Sequence, residues 1–149
     1  MNGTPPTAAS DAISIHEAAI ETIREHAAST YPHECCGALT ARGGTIVDAF
    51  PLPNVTQEGA ARRFLVGPAE YRAAEARAAQ LGGSLAGFYH SHPDHPARPS
   101  AHDLDHAWPN FVYVIVSVQA GSPEAITGWR LRDDRTAFES RDLQWRTKS

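Results

Sequence analysis

SLAGFYHSHPDHPARPSAHDLDHAWPNFVYVIVSV, running from Ser84 to Val118, decides the fold. Ser84 to His90 reads as a strand, and Pro93 to Pro99, with three prolines, must be loop. Ser100 to Trp108 is a short helix closed by Pro109, and Phe111 to Val118, dense in Val, Ile and aromatics, is the strongest strand in the chain. Side chains alternate along a strand, so His90 and His92 point the same way at the strand's end. Two imidazoles then converge on one point, and Pro93 turns the chain away. Asp103, in the first turn of the next helix, can supply a third ligand. Two histidines and a carboxylate with an open fourth position form the pattern of a catalytic zinc site.

Upstream, Ser14-Ile15-His16-Glu17 reads as a capping box. The series Ile15, Ala19, Ile23, Ala27 predicts a helix from Ile15 to Ser29, closed by Pro32. Cys35 to Ala41 and Thr45 to Pro51 form a hairpin across the Arg42-Gly43-Gly44 turn. A polar loop spans Pro53 to Ala61, and Arg63 to Gly67 reads as a short strand. Pro68 starts a second helix with Tyr71, Ala74, Ala78 and Leu81 on one face, ended by Gly82-Gly83. Ala125 to Leu131 and Thr136 to Glu139 are weaker strands around Asp133-Asp134. The expected class is α/β (α+β), with a single mixed β-sheet and flanking helices over residues 13–149. Residues 1–12, rich in Ala, Thr, Ser and Pro, read as a disordered leader.

The 149 residues suit one ordinary domain. A net charge of -4 argues against a nucleic-acid binder, and no apolar run is long enough to cross a membrane. No signal peptide is apparent. The only two cysteines, Cys35 and Cys36, are adjacent and unsuited to an unstrained disulfide, which points to the cytoplasm. They read as small buried hydrophobes rather than nucleophiles. Five of the eight histidines fall between His90 and His106. His102 and His106, four apart on a helix, are a rival metal pair that lacks an evident third ligand. They and His95 read as surface residues or as residues that orient a ligand. Ser100 and Asp103 also have plain structural roles, as a helix cap and as a first-turn charge.

His90-Ser91-His92-Pro93, six residues, then Ser100-Ala101-His102-Asp103 resembles the JAMM (MPN-plus) metallopeptidase motif, H-x-H-x10-D with a serine three residues before the aspartate. Glu34, in Pro32-His33-Glu34-Cys35-Cys36-Gly37, matches the family's upstream glutamate. The similarity runs from Ile13 to Phe138 and includes Phe88-Tyr89 and Tyr113-Val114-Ile115-Val116-Ser117.

The resemblance implies the JAMM/MPN (cytidine-deaminase-like) architecture and one Zn²⁺ per chain, bound by His90, His92 and Asp103 with a water in the remaining position. It implies that Glu34 takes a proton from that water and gives it to the leaving amine, and that Ser100 donates to the oxyanion. It further implies the stand-alone prokaryotic branch. The expected partner is then a ubiquitin-like sulfur-carrier protein with a Gly-Gly tail, cleaved at an amide bond. A zinc hydrolase of small-molecule amides, with no protein partner, is the alternative. A non-catalytic scaffold of the same fold is disfavoured, because every motif position is filled.

Overall fold

The computed structural model describes residues 12–53, 66–105 and 107–147, with only the backbone of His102. The strands are β1 (Ile13–His16), β2 (Cys36–Arg42), β3 (Thr45–Leu52), β4 (Ser84–Pro93), β5 (Val112–Gln119), β6 (Ser122–Leu131), β7 (Phe138–Arg141) and β8 (Leu143–Arg146). The helices are α1 (Glu17–Thr30), α2 (Pro68–Gln80) and the short α3 (Ala101–Asp105). All eight strands join one sheet in the order β7-β6-β5-β4-β2-β3-β1-β8. Pairing is mixed: β4 runs parallel to β5, while β2 is antiparallel to both β3 and β4.

Helices cover the two faces of this sheet. On one side Ala19, Ile20, Ile23 and Ala27 of α1 pack with Ile13, Ile15, Leu39, Tyr89 and the even-numbered valines of β5. On the other, Ala74 of α2 packs with Cys36, Ala38, Phe88 and Tyr113, flanked by Leu104 of α3. Tyr71 bridges α2 to the loop after α3, its ring 4.5 Å from that of Trp108. Burial of both faces explains why β5 reads as a continuous apolar run.

The hairpin, α2 and the order β4–α3–β5 fall where the sequence places them, but β4 runs on through Pro93, which pairs with Val118, and α3 spans only Ala101–Asp105, with Ala107 and Trp108 irregular. The start of α1 also differs. Ser14 lies in β1, and α1 begins after His16 with no side-chain cap, so the Ser14–Glu17 capping box is not formed. The Ser14 hydroxyl instead sits 3.1 Å from Thr45 Oγ1 and accepts from Arg146 Nε at 3.0 Å. Ile13 and Ile15 are both buried at a spacing of two. Parallel pairing of β1 with both β3 and β8 therefore outweighs the local helical signal. Of the expected strand from Arg63 to Gly67, only Val66 and Gly67 are described, and both are irregular. Most of the polar loop and residues 1–11 of the expected leader lie outside the described residues.

Gly87 of β4 leaves no room for a side chain against β5. It pairs with Val112, and a Cβ there would overlap the Val112 backbone. Gly87→Ala should therefore lower stability by about 1–3 kcal/mol, read from the urea midpoint, as overpacking does. An unchanged midpoint would show that the two strands are not held this tightly.

Candidate metal centre

Strand register brings the site together. In β4, Phe88, His90 and His92 share one face, while Tyr89 and Ser91 take the other. His90 pairs with Ile115 and His92 with Ser117 across the parallel β4–β5 ladder. On the opposite flank Cys36 pairs with His90, and the ladder continues through Ser91 N–H to Cys35 O at 3.2 Å. The Ser91 hydroxyl also accepts from Cys35 N–H at 2.9 Å. Just before β2, Glu34 lines the same cleft as His92.

Three donor atoms converge from two elements. His90 Nε2 and His92 Nε2 are 3.2 Å apart, and Asp103 Oδ2 lies 3.3 Å from the first and 3.2 Å from the second. All three side chains are buried. Nitrogen and oxygen donors about 2.0–2.1 Å from a tetrahedral centre form edges of about 3.3 Å, so this triangle fits one face of a zinc-type tetrahedron. His92 Nδ1 is 2.8 Å from the Pro96 carbonyl, which can only accept, so Nδ1 carries the hydrogen and Nε2 presents its lone pair to the centre. Among the described residues these are the ones grouped as a metal ion would require.

Asp103 is held by a reciprocal pair at the start of α3. Ser100 N–H donates to Asp103 Oδ2 at 2.8 Å, and Asp103 N–H donates to Ser100 Oγ at 3.1 Å. The cap expected at Ser100 is therefore present. It also fixes the carboxylate, and it leaves the hydroxyl its own hydrogen to donate.

The field at this point suits a cation. Burial works to raise the Asp103 carboxyl, but the charge of His90, the bonds from both imidazoles and the Ser100 N–H hold it well below the usual carboxylate range. Burial works to lower His92, but the bonds to Asp103 and Pro96 and the charges of Asp103 and Glu34 leave it above the ordinary histidine value. The cluster thus stabilises positive charge, whether carried by protons or by a metal ion.

A cleft of about 520 Å³ opens beside these atoms, lined by Glu34, His92, His95, Pro96, Arg98 and Ser100 among others. Glu34 is 7% exposed there, far more buried than a solvated glutamate at a strand end. His95 lines the cleft without joining the triad. The His102 side chain and His106 lie outside the described residues. Cys35 and Cys36 are buried thiols whose pKa burial raises, that of Cys36 to about 12, which suits packing rather than nucleophilic attack.

Several anchors of the site escaped the sequence reading. The Ser117 hydroxyl donates to His95 O at 2.6 Å, and the Thr127 hydroxyl to Ala97 O at 2.6 Å, tying the Pro-rich loop to β5 and β6. The Tyr31 hydroxyl donates to Asp94 Oδ2 at 2.6 Å, while Asp94 Oδ1 accepts from Ala120 N–H at 2.9 Å. That pair joins the segment leading to Glu34 to the turn after His92. Only Asp94, directly after the His-x-His-Pro string, carries a local hint, since its φ of +58° favours Asp, Asn or Gly.

His92→Ala should reduce bound zinc from about one equivalent to near zero, measured by atomic absorption on protein that keeps its circular dichroism spectrum. Unchanged stoichiometry would move the metal to other residues, His102 and His106 first among them.

Comparison with known proteins identifies the family. The family described as prokaryotic homologs of the JAB domain matches residues 16–132. A desampylase from Haloferax volcanii is 37% identical over 97 residues, covering 63% of this chain and 69% of that protein. Tail tip assembly protein K of Escherichia phage N15 is 38% identical over 88 residues, 59% of this chain, although the chain spans only 32% of that relative's length. A solution structure of a Salinibacter ruber protein is 40% identical and superposes with a TM-score of 0.70, covering 90% of this chain and 92% of that one. The chain belongs to the prokaryotic JAB branch of the JAMM/MPN family and is a hydrolase of the JAMM type.

Proposed function

We propose that this protein is a zinc-dependent peptidase or isopeptidase that hydrolyses an amide bond at the C-terminal tail of a ubiquitin-like protein. The observation that carries the reading is the convergence of His90, His92 and Asp103 beside Glu34 and Ser100 in one open cleft. The relative known as a desampylase supports a ubiquitin-like substrate. Within that class we favour a sulfur carrier ending in Gly-Gly, whose glycines would place no side chain against the cleft walls. We further propose that residues 13–149 act as one catalytic unit in the cytoplasm, where the two free thiols would stay reduced.

His90, His92 and Asp103 would hold the zinc. Bound there, it would supply a Lewis acid that makes water acidic enough to ionise near neutral pH and polarises the scissile carbonyl. Glu34 faces the same cleft and would accept a proton from the attacking water. As the C–N bond breaks, Glu34 would return that proton to the leaving amine. The water oxygen becomes one oxygen of the tail's new carboxyl group, and the water's second proton passes to the departing amine, which leaves as an ammonium beside the carboxylate, so atoms and charge balance. The Ser100 hydroxyl, oriented through its oxygen by Asp103 N–H, would direct its hydrogen to the oxyanion. Buried Asp103 stays anionic and keeps its donor atom available to the metal.

The alternative reading is a zinc hydrolase of small amides that needs no carrier. Carrier fusions and small amides assayed side by side separate the two, because turnover of small amides alone would favour the second.

Glu34→Gln should keep zinc while losing about 10²–10⁴-fold in hydrolysis, the range for loss of a general base. Wild-type turnover in that variant would remove Glu34 from the reaction.

A further inference from the structure

A second hollow of about 360 Å³ adjoins the catalytic cleft and shares Arg98, Pro99 and Ser100 with it. Its remaining wall is apolar, built from Leu104 of α3, Trp129 of β6, and Ala137 and Phe138 around the start of β7. The one polar atom of the Trp129 side chain is already engaged, since Nε1 donates to Thr127 Oγ1 at 2.8 Å. The indole therefore presents only hydrocarbon to the hollow. Arg98 is the one charged residue on this wall, and among the described residues its guanidinium makes no ion pair. It stands at the boundary of the two hollows, beside Ser100.

We propose that this hollow binds an apolar C-terminal residue of the substrate, with Arg98 gripping that residue's free α-carboxylate. The inference rests on the amide hydrolysis proposed above and specifies which amide is cut: the last peptide bond of a tail, whose leaving amine belongs to an apolar amino acid. Three features select this occupant. The hollow shares Arg98, Pro99 and Ser100 with the catalytic cleft, so a residue in it would lie beside the reacting centre. Its wall of Leu104, Trp129, Ala137 and Phe138 suits an apolar side chain. Its only charge is a guanidinium, whose planar pair of donors matches a carboxylate. A tail that continued past this residue would carry an amide in place of the carboxylate and would leave Arg98 without a counter-charge.

Nuclear magnetic resonance titration of the zinc-loaded protein with N-acetyl-phenylalanine and with N-acetyl-phenylalanine amide tests this independently of turnover. The acid should bind about tenfold more tightly than the amide, as a charge-assisted bond of modest strength would give. The Trp129 indole resonance should shift with both ligands. Arg98→Ala should reduce the ratio of the two affinities towards one, and Arg98→Lys should restore part of it. Equal binding of acid and amide by wild type, or shifts that spare Trp129, would overturn the proposal. Carrier fusions ending in Gly-Gly-Phe keep the two claims separate. Clear acid preference with no cleavage would leave the subsite standing and remove the proposed hydrolysis. Cleavage of free-acid and amidated tails at equal rates would remove the subsite alone.

Discussion

Register between β2, β4 and β5 is the constraint on which the rest of the structure depends. Antiparallel pairing of Cys36 with His90, and parallel pairing of His90 with Ile115, fix which face of the sheet each side chain takes. A slip of one residue would turn His90 and His92 towards α1 and bring Tyr89 and Ser91 into the cleft. The fold resists such a slip on both flanks of β4. Tyr89 fills the α1 side, its hydroxyl 2.7 Å from His26 Nδ1, and its ring occupies the space a side chain on Gly37 would need. Ser91 bonds the Cys35 backbone. Residues between the ligands thus lock the strand that presents them.

A cluster of two imidazoles and a carboxylate is costly to bury unless each polar atom is used. Here the cost is offset locally. Ser100 N–H satisfies Asp103, and the Pro96 carbonyl satisfies His92 Nδ1, which leaves the His92 Nε2 lone pair and the carboxylate facing a common point that a cation would occupy. The surrounding loop carries three prolines, which lowers the entropy lost on ordering it, and Ser117 and Thr127 pin it to the sheet. The result is a preorganised site on β4 and α3 beside an open cleft, which His92 of the donor set lines. A structural zinc site would instead complete its shell with a fourth protein ligand.

Legibility in the sequence followed the range of the interactions. The His-x-His-Pro string, the Pro-rich loop and the Ser100–Asp103 cap are local, and spacing alone places them correctly. Glu34 is distant in sequence. It precedes β2 and meets His92 and Ser100 only through the folded chain, so the family pattern rather than the local residues pointed to it. β1 and β8 were missed because each is four residues long and gains its stability from non-local pairing. Ser14 illustrates the same limit: its helix-capping signal is genuine, but the bond it makes is to Thr45, far along the chain. Arg98 carries no motif at all, and its interest arises only from the two hollows that meet at its side chain.

X-ray absorption spectroscopy at the zinc edge of the loaded protein tests the central claim most directly. The expected spectrum has two imidazole nitrogens and oxygen donors completing a four-coordinate shell, with no sulfur, and it collapses in Asp103→Ala. A sulfur shell, or a spectrum unaltered by that substitution, would contradict the assignment of the ion to His90, His92 and Asp103.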